Sequence, residues 1–416
     1  MARSVLRQWT IGTLTGLLLA GLGARPAAAQ GLDPTINVSS SPGESRHPHL
    51  VIDAAGVLHM AWADDSANPA QHRIRYVRSF DRGQTFTAPI ELSSGQASFR
   101  PRLATFGNIG VFVVWMEDPP GAQEGNTKEV MFSRSLDGGA TFSAPVALSN
   151  TPGNSLEARV AMASNGTLYV VWDEEWPSRH IAIRRSSDGG TTWDAHRAVA
   201  PVVTPPGCPP DGVGNCDTVY PGVAVDPASG RVYVVWHDRV GSQPQVLFSR
   251  SLDGGETFSA PLNLSHAAIH AHCASLTVGP SGRVLVAFEA RKDLVEHKHD
   301  AVFTQSIDGG ASFLPPVNLS QGPSWALSDY PWAVEGPGGA IVVGWEDNRG
   351  GGHLDAVATY STDGGQSFAP SVNLSNNAES VSTEVVTLFG PDGSFYVVWE
   401  DQQFGKAEVL FRRALG

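Results

Sequence analysis

The pattern Ser-x-Asp-x-Gly-x-Thr/Ser-aromatic returns six times along this chain, at Ser79 to Phe86, Ser135 to Phe142, Ser186 to Trp193, Ser251 to Phe258, Ser306 to Phe313 and Ser361 to Phe368. Self-similarity at a spacing of about 55 residues means stacked copies of one supersecondary unit. Architecture follows from what the copies share, and function from where they differ.

A longer unit surrounds each motif. In the second copy, Phe99 to Ala104, Gly110 to Trp115, Glu129 to Arg134 and Ala144 to Ser149 are four β-branched and aromatic runs separated by Gly, Asp and Pro, which spells a four-stranded antiparallel sheet. The aromatic that ends the second run recurs at Trp62, Trp115, Trp172, Trp236, Phe288, Trp345 and Trp399, so there are seven units for six turn motifs. The last unit stops at Arg413, where its turn should begin, and its missing strand is found at the other end of the chain. Ile36-Asn37-Val38-Ser39 matches Leu262 to Ser265, Val317 to Ser320 and Val372 to Ser375. An N-terminal strand that completes the last sheet leaves no open edge. The expected fold is all-β: a seven-bladed β-propeller of four-stranded antiparallel blades, closed by the N-terminal strand.

The turn motif has a local job. The Asp carboxylate accepts hydrogen bonds from its own turn, the Gly takes the left-handed position, and the closing aromatic packs between sheets. A device present in nearly every copy is structural, so Asp137 and its equivalents are not candidates for catalysis.

This motif resembles the Asp-box, or bacterial neuraminidase repeat, of the sialidase superfamily, over residues 33 to 416. Sialidases of that family are six-bladed, and seven copies are a departure. Asp-boxes also occur in propellers that bind or assemble.

Residues 1–29 carry Arg3 and Arg7, an apolar run from Trp9 to Leu22, and Ala27-Ala28-Ala29, the layout of a cleaved secretory signal peptide. The run is shorter than a membrane span requires, at about 20 residues. Residues 30–416 form one propeller domain, with no membrane span in the mature chain and a secreted or periplasmic destination. A net charge of −13 with no basic run argues against a nucleic-acid partner. Of three cysteines, Cys208 and Cys216 bracket a short loop and suit a disulfide, with two free thiols as the other reading; Cys273 is left over.

In a propeller the innermost strands line the central channel, and ligands sit at the mouth opposite the Asp-box turns. Counting back from each second-strand aromatic aligns His47, Arg100, Glu157, Tyr220, Cys273, Tyr330 and Glu384, one residue per blade and nearly all different. Two positions on, the ring is His49, Arg102, Arg159, Gly222, Ser275, Trp332 and Val386. A solvated channel lined by whatever water tolerates is the plain reading; a ligand site is the sharper one.

The sialidase resemblance implies three arginines on a substrate carboxylate, a tyrosine nucleophile with a glutamate partner, and an aspartate acid/base. A neutral tyrosine is not repelled by the substrate carboxylate, which makes these enzymes exceptions to the two-carboxylate rule. Phe99-Arg100-Pro101-Arg102 resembles the family's Phe/Tyr-Arg-Ile-Pro segment, although the Ile-Pro order is absent. The resemblance then implies Arg100 as first clamp, Tyr330 or Tyr220 as nucleophile and Glu157 or Glu384 as its partner. Arg102, Arg159, Arg291, His47, His49 and Trp332 are the binding candidates, with Arg159 and Arg291 placed by position only.

Two further clusters stand out. Asp64, Glu117, Glu174, Asp238, Asp347 and Asp401 lie two residues past the second-strand aromatic, with Ala290 breaking the series, and such recurrence favours a structural role. The fifth copy holds His266, His270, His272, His297 and His299 near Cys273, a spacing that suits Zn or Cu. Surface loops collect histidines without metal, so no metal or cofactor is assigned. Two functional classes fit: an exported glycan-recognising propeller, as an exo-glycosidase acting on sialic acid or a similar acidic sugar, and a non-catalytic propeller that binds glycan or protein. Trp176, Trp325 and Trp332 suit sugar stacking in either.

Overall fold

The computed structural model describes residues 32–414, apart from residues 69–70, 120–126, 203–218, 242, 267–269, 292–297, 324, 351 and 377–379. Residues 1–29, expected to be a signal peptide, together with Cys208, Cys216 and His297, lie outside the described residues. Seven four-stranded antiparallel sheets form a seven-bladed propeller, and the one helical piece among the described residues is a short 3-10 turn at Pro337–Gly339. The innermost strands are Ser45–Ile52, Ser98–Phe106, Ser155–Met162, Gly222–Val225, Ala271–Val278, Ser328–Glu335 and Ser382–Phe389, in blades 1 to 7.

The seventh blade borrows its outer strand from the N-terminal segment. Ile36 pairs with Phe411 and Asn37 with Leu410, while Asp33 forms an ion pair with Arg413 at 2.7 Å. The Asn-x-Ser pattern that predicted this pairing acts in the same way in the outer strands that carry it. Asn37 accepts the Ser40 amide at 2.9 Å, as Asn318 accepts that of Gln321 and Asn373 that of Asn376.

The core is divided among the blade junctions. Seven apolar clusters occur, each built from two neighbouring blades; the one that closes the ring joins Leu50, Met60 and Trp62 of blade 1 to Val386, Tyr396 and Phe411 of blade 7. The six second-strand tryptophans are almost fully buried, each removing an area whose burial contributes on the order of 2–3 kcal/mol.

The Asp-box turns behave as the sequence predicts. In blade 2, Ser135 donates to Asp137 at 2.6 Å and accepts the Gly139 amide at 2.8 Å, while the Asp137 carboxylate accepts both the amide and the hydroxyl of Thr141. The Gly two residues after each box Asp takes a positive φ and faces the preceding blade, which keeps it Gly. At Gly190 φ is +82°, and a Cβ there would run into the ring of Phe132. The closing aromatic completes the contact, with Trp193 edge-on to Phe132 at 5.0 Å and Phe313 to Phe248 at 4.8 Å. The box is therefore a clamp between blades.

Candidate functional site at the channel mouth

Six of the seven innermost strands slip register once, between Arg46 and His49, Phe99 and Arg102, Leu156 and Arg159, His272 and Ser275, Asp329 and Trp332, and Thr383 and Val386. Each slip is a β-bulge in which one extra residue is accommodated. His47, Arg100, Glu157, Cys273, Tyr330 and Glu384 occupy it with φ between 48° and 55°. Non-glycine residues rarely adopt that conformation, and six such bulges around one opening mark a built feature.

Neighbouring blades hold several bulges in place. Tyr330 donates its amide to Glu289 at 2.8 Å, Glu384 to Glu346 at 2.5 Å, His47 to Glu400 at 3.4 Å and Glu157 to the Met116 sulfur at 3.1 Å. Every acceptor is the residue just after the second-strand aromatic of the preceding blade. The sequence reading passed over this position; the run Glu289, Glu346, Glu400 in three successive copies was its signal.

The next ring falls in the predicted register. His49 stands opposite Ala61, Arg102 opposite Val114, Arg159 opposite Val171 and Trp332 opposite Gly344, each one residue short of the aromatic. All seven members of this ring line one cavity of about 100 Å³, together with Tyr220, Cys273, Tyr330 and Glu384. His49 and Trp332, both in its lining, meet edge to face at 5.9 Å. His49 Nδ1 accepts the Leu103 amide at 3.3 Å, which leaves the proton of the neutral ring on Nε2.

Charge is concentrated here. Arg100 Nε lies 3.1 Å from Glu157 and its Nη1 3.5 Å from Glu384, Arg159 is 3.5 Å from Glu157, and His47 is 3.9 Å from Glu384. Arg100 also caps the Tyr220 ring at 5.6 Å, and Tyr220 meets Tyr330 edge to face at 6.4 Å. Arg102 differs from the other two arginines. It has no carboxylate within ion-pair distance among the described residues, its Nη1 donates only to the Pro101 carbonyl at 2.9 Å, and its buried Nε has no hydrogen-bond partner.

The electrostatics follow from this arrangement. Burial, with Arg159 and Arg100 adding like charge, pushes the Arg102 guanidinium down to about 9, and burial lowers Arg159 as well. For Arg100 burial acts in the same sense but Glu157 and Glu384 outweigh it, so its pKa rises. Burial works against the Glu384 charge, yet Arg100, His47, Arg102 and Arg159 together hold its pKa down to about 2. His47 is lowered to about 4, chiefly by burial, and His49 well below its usual range for the same reason. Burial raises both the Tyr220 and Tyr330 phenols.

The remaining candidates sort plainly. Arg291 ends the strand Val284–Arg291 and does not line the cavity; its amide bonds to the His270 carbonyl at 2.8 Å beside the fifth-blade histidines. It lies on the second strand of its blade, whereas the residues aligned with the cavity ring lie on the innermost strands. His272 and His299 belong to strands and are largely buried, so the surface-loop picture of the fifth copy does not hold for them. Trp176 and Trp325 are half exposed and stand outside the cavity lining. The acidic series past the aromatics is structural: Glu117 accepts the Trp115 indole at 2.8 Å and the Ser98 hydroxyl at 2.9 Å, and Glu174, Asp347 and Asp401 repeat the arrangement.

Fold and mouth together define a seven-bladed Asp-box propeller with a cationic, aromatic-walled opening. The chain belongs to the BNR repeat-like domain family, whose model matches residues 101–343. It is similar to a sialidase of Bacteroides fragilis, strain YCH46, with 26% identity over 230 residues. That match covers 47% of this chain and 40% of the relative, so the chain spans well under half the length of the curated relative it matches. Among solved structures, an ulvan lyase bound to -[GlcA(1-4)Rha3S]- aligns with a TM-score of 0.62 at 12% identity, covering 91% of this chain and 95% of that one. The NanB sialidase of Streptococcus pneumoniae aligns with a TM-score of 0.50 at 12% identity, covering 93% and 70%. These last two likenesses speak to the fold. No helix among the described residues is long and apolar enough to cross a membrane.

Proposed function

We propose that the channel mouth binds the carboxylate of an acidic sugar. The observation that carries this reading is Arg102. Among the described residues, three buried guanidinium groups share the site with two carboxylates in ion-pair contact, Glu157 and Glu384, and those contact Arg100 and Arg159. A buried cation without a counterion is costly, and an incoming carboxylate offers both charge and paired acceptors. The cavity of about 100 Å³ suits a head group, leaving the rest of the sugar to the aromatic wall of Tyr220, Tyr330 and Trp332. The sialidase relative and the glucuronate-bound lyase both supply precedent for acidic saccharides on this kind of propeller.

Turnover is the second reading, favoured because Tyr330, Tyr220 and Glu384 line the same cavity as the arginines. In it Tyr330 or Tyr220 gives its phenol proton to Glu384 or Glu157 and attacks the anomeric carbon, while the glycosidic bond breaks and its oxygen leaves with a proton from a general acid, as the sialidase resemblance implies. No aspartate among the described residues lines the cavity, so in this reading the acid/base of that scheme comes from outside the described lining. Residues 1–29 support export of the protein to where such glycans occur.

Calorimetry with a sialylated oligosaccharide, a glucuronate-containing oligosaccharide and neutral lactose tests binding, and release of free sugar from a fluorogenic sialoside tests turnover. Acidic ligands should bind in preference to lactose, and Arg102→Met should weaken them at least tenfold. Equal affinity for lactose, or saturable binding to none of the three, overturns the proposal. A pull-down that finds a protein partner while the sugars fail would favour an interaction module instead.

A further inference from the structure

Blade 5 departs from the other blades in a coordinated way. Where blades 2, 3, 6 and 7 have a Ser hydroxyl and a Trp indole on one carboxylate, blade 5 has Ala271, Phe288 and Ala290. The polar material lies one residue away instead. His272 stands across the sheet from Glu289, His299 opens the third strand, and Asp329 of blade 6 faces it.

We propose that His272, Glu289 and His299 form a site for a divalent transition metal of the zinc class at the junction of blades 5 and 6. Their ligand atoms all lie within 4.8 Å of one another. His272 Nδ1 is 3.1 Å from Glu289 Oε2, close to the roughly 3.4 Å edge of a tetrahedron with metal bonds of about 2.1 Å. His299 Nδ1 is 2.8 Å from Asp329 Oδ1, while its buried Nε2 has no hydrogen-bond partner. The same Nδ1 is 3.4 Å from Glu289 Oε2, so Asp329 holds the imidazole against the proposed ligand set, in the way that a carboxylate orients a metal-binding histidine.

Two surrounding features point the same way. His237 is buried to 2% exposure, its ring is 6.0 Å from that of His272, and neither of its nitrogens is hydrogen-bonded. Buried imidazoles without partners are unfavourable unless something else occupies their lone pairs. Cys273 Sγ lies 3.0 Å from His272 Nδ1, adding a soft donor beside the set. Two imidazoles and one carboxylate with thiol nearby select zinc-like ions over calcium or magnesium. Glu289 also accepts the Tyr330 amide through Oε1 at 2.8 Å, so a metal on Oε2 would brace the Tyr330 bulge at the mouth.

The test uses the full chain, stripped with chelator and dialysed into metal-free buffer. Calorimetric titration with zinc should show one equivalent bound. Cobalt should give visible ligand-field bands of a low-coordinate site, abolished by added zinc. His272→Gln and His299→Gln should each weaken zinc at least 100-fold, whereas His266→Gln, on an exposed turn, should leave it unchanged. Stoichiometric binding that survives both substitutions overturns the site. So does the absence of saturable zinc binding and of cobalt bands in the unaltered chain, a readout that stands even if a variant fails to fold.

Discussion

Arg100 Nε stands 3.1 Å from Glu157 Oε1, and the two residues occupy the same bulge of adjacent blades, at φ 51° and 55°. The mouth is thus wired sideways, from one blade to the next, through side chains displayed by strained backbone. Glu157 also meets Arg159 at 3.5 Å, so one carboxylate serves two cations.

Removing that carboxylate has a definite cost. Glu157→Gln leaves two buried guanidinium groups short of a partner and should destabilise the protein by roughly 3 kcal/mol in urea denaturation. A saturating acidic sugar should restore part of the loss. Unchanged stability would show that the arginines find other partners.

Glu400 supplies a pH signature. Burial raises its pKa to about 7, against the pull of Arg46. The folded value lies above the unfolded one, so its contribution is intact below about pH 4.5 and is lost as pH rises through 7. Glu400→Gln should therefore be near neutral at pH 5 and stabilising by about 1–3 kcal/mol at pH 8. Parallel stability curves for the two proteins would contradict this.

His47 works in the opposite sense. Its pKa is lowered to about 4, mainly by burial, so its contribution is full above the ordinary histidine value and declines as pH falls from about 6.5 toward 4. His47→Gln should flatten the stability profile across that interval in thermal unfolding. A profile as steep as that of the unaltered protein would refute the assignment.

The Asp-box predicts loss of stability with no loss of recognition. Hydrogen bonds from Ser135 and Thr141 hold Asp137 well below the usual carboxylate range. Asp137→Ala should lower the melting temperature by an amount equivalent to about 1–2 kcal/mol, while acidic-sugar affinity stays the same. A selective loss of affinity would relocate the site to the opposite face.

Legibility in the sequence differed between fold and site. Seven aromatics and the Asn-x-Ser match between Ile36–Ser39 and later outer strands settled blade number and closure, because repeats report the same geometry many times. Counting from those aromatics also identified the cavity ring that contains His49, Arg102, Arg159 and Trp332. The bulge was not legible, since a left-handed Arg100 or Glu157 carries no glycine to announce it. Nor was the burial of His272 and His299, because histidine spacing looks alike in a loop and in a strand. Phe288 and Ala290 could have signalled the special fifth blade: indole and carboxylate vanish there together, leaving neither polar group stranded.

The closure of blade 7 bears on how the molecule is made. Val409 donates its amide to Ser39, a partner 370 positions earlier. A segment synthesised early must therefore stay unpaired until residue 409 has emerged. Closure of the circle consequently waits on a pairing across the whole propeller, slow in the way that distant pairings are slow. Until it occurs, the Glu408–Ala414 strand offers its bare margin to any extended peptide nearby, a hazard for nascent chains and a handle for a chaperone.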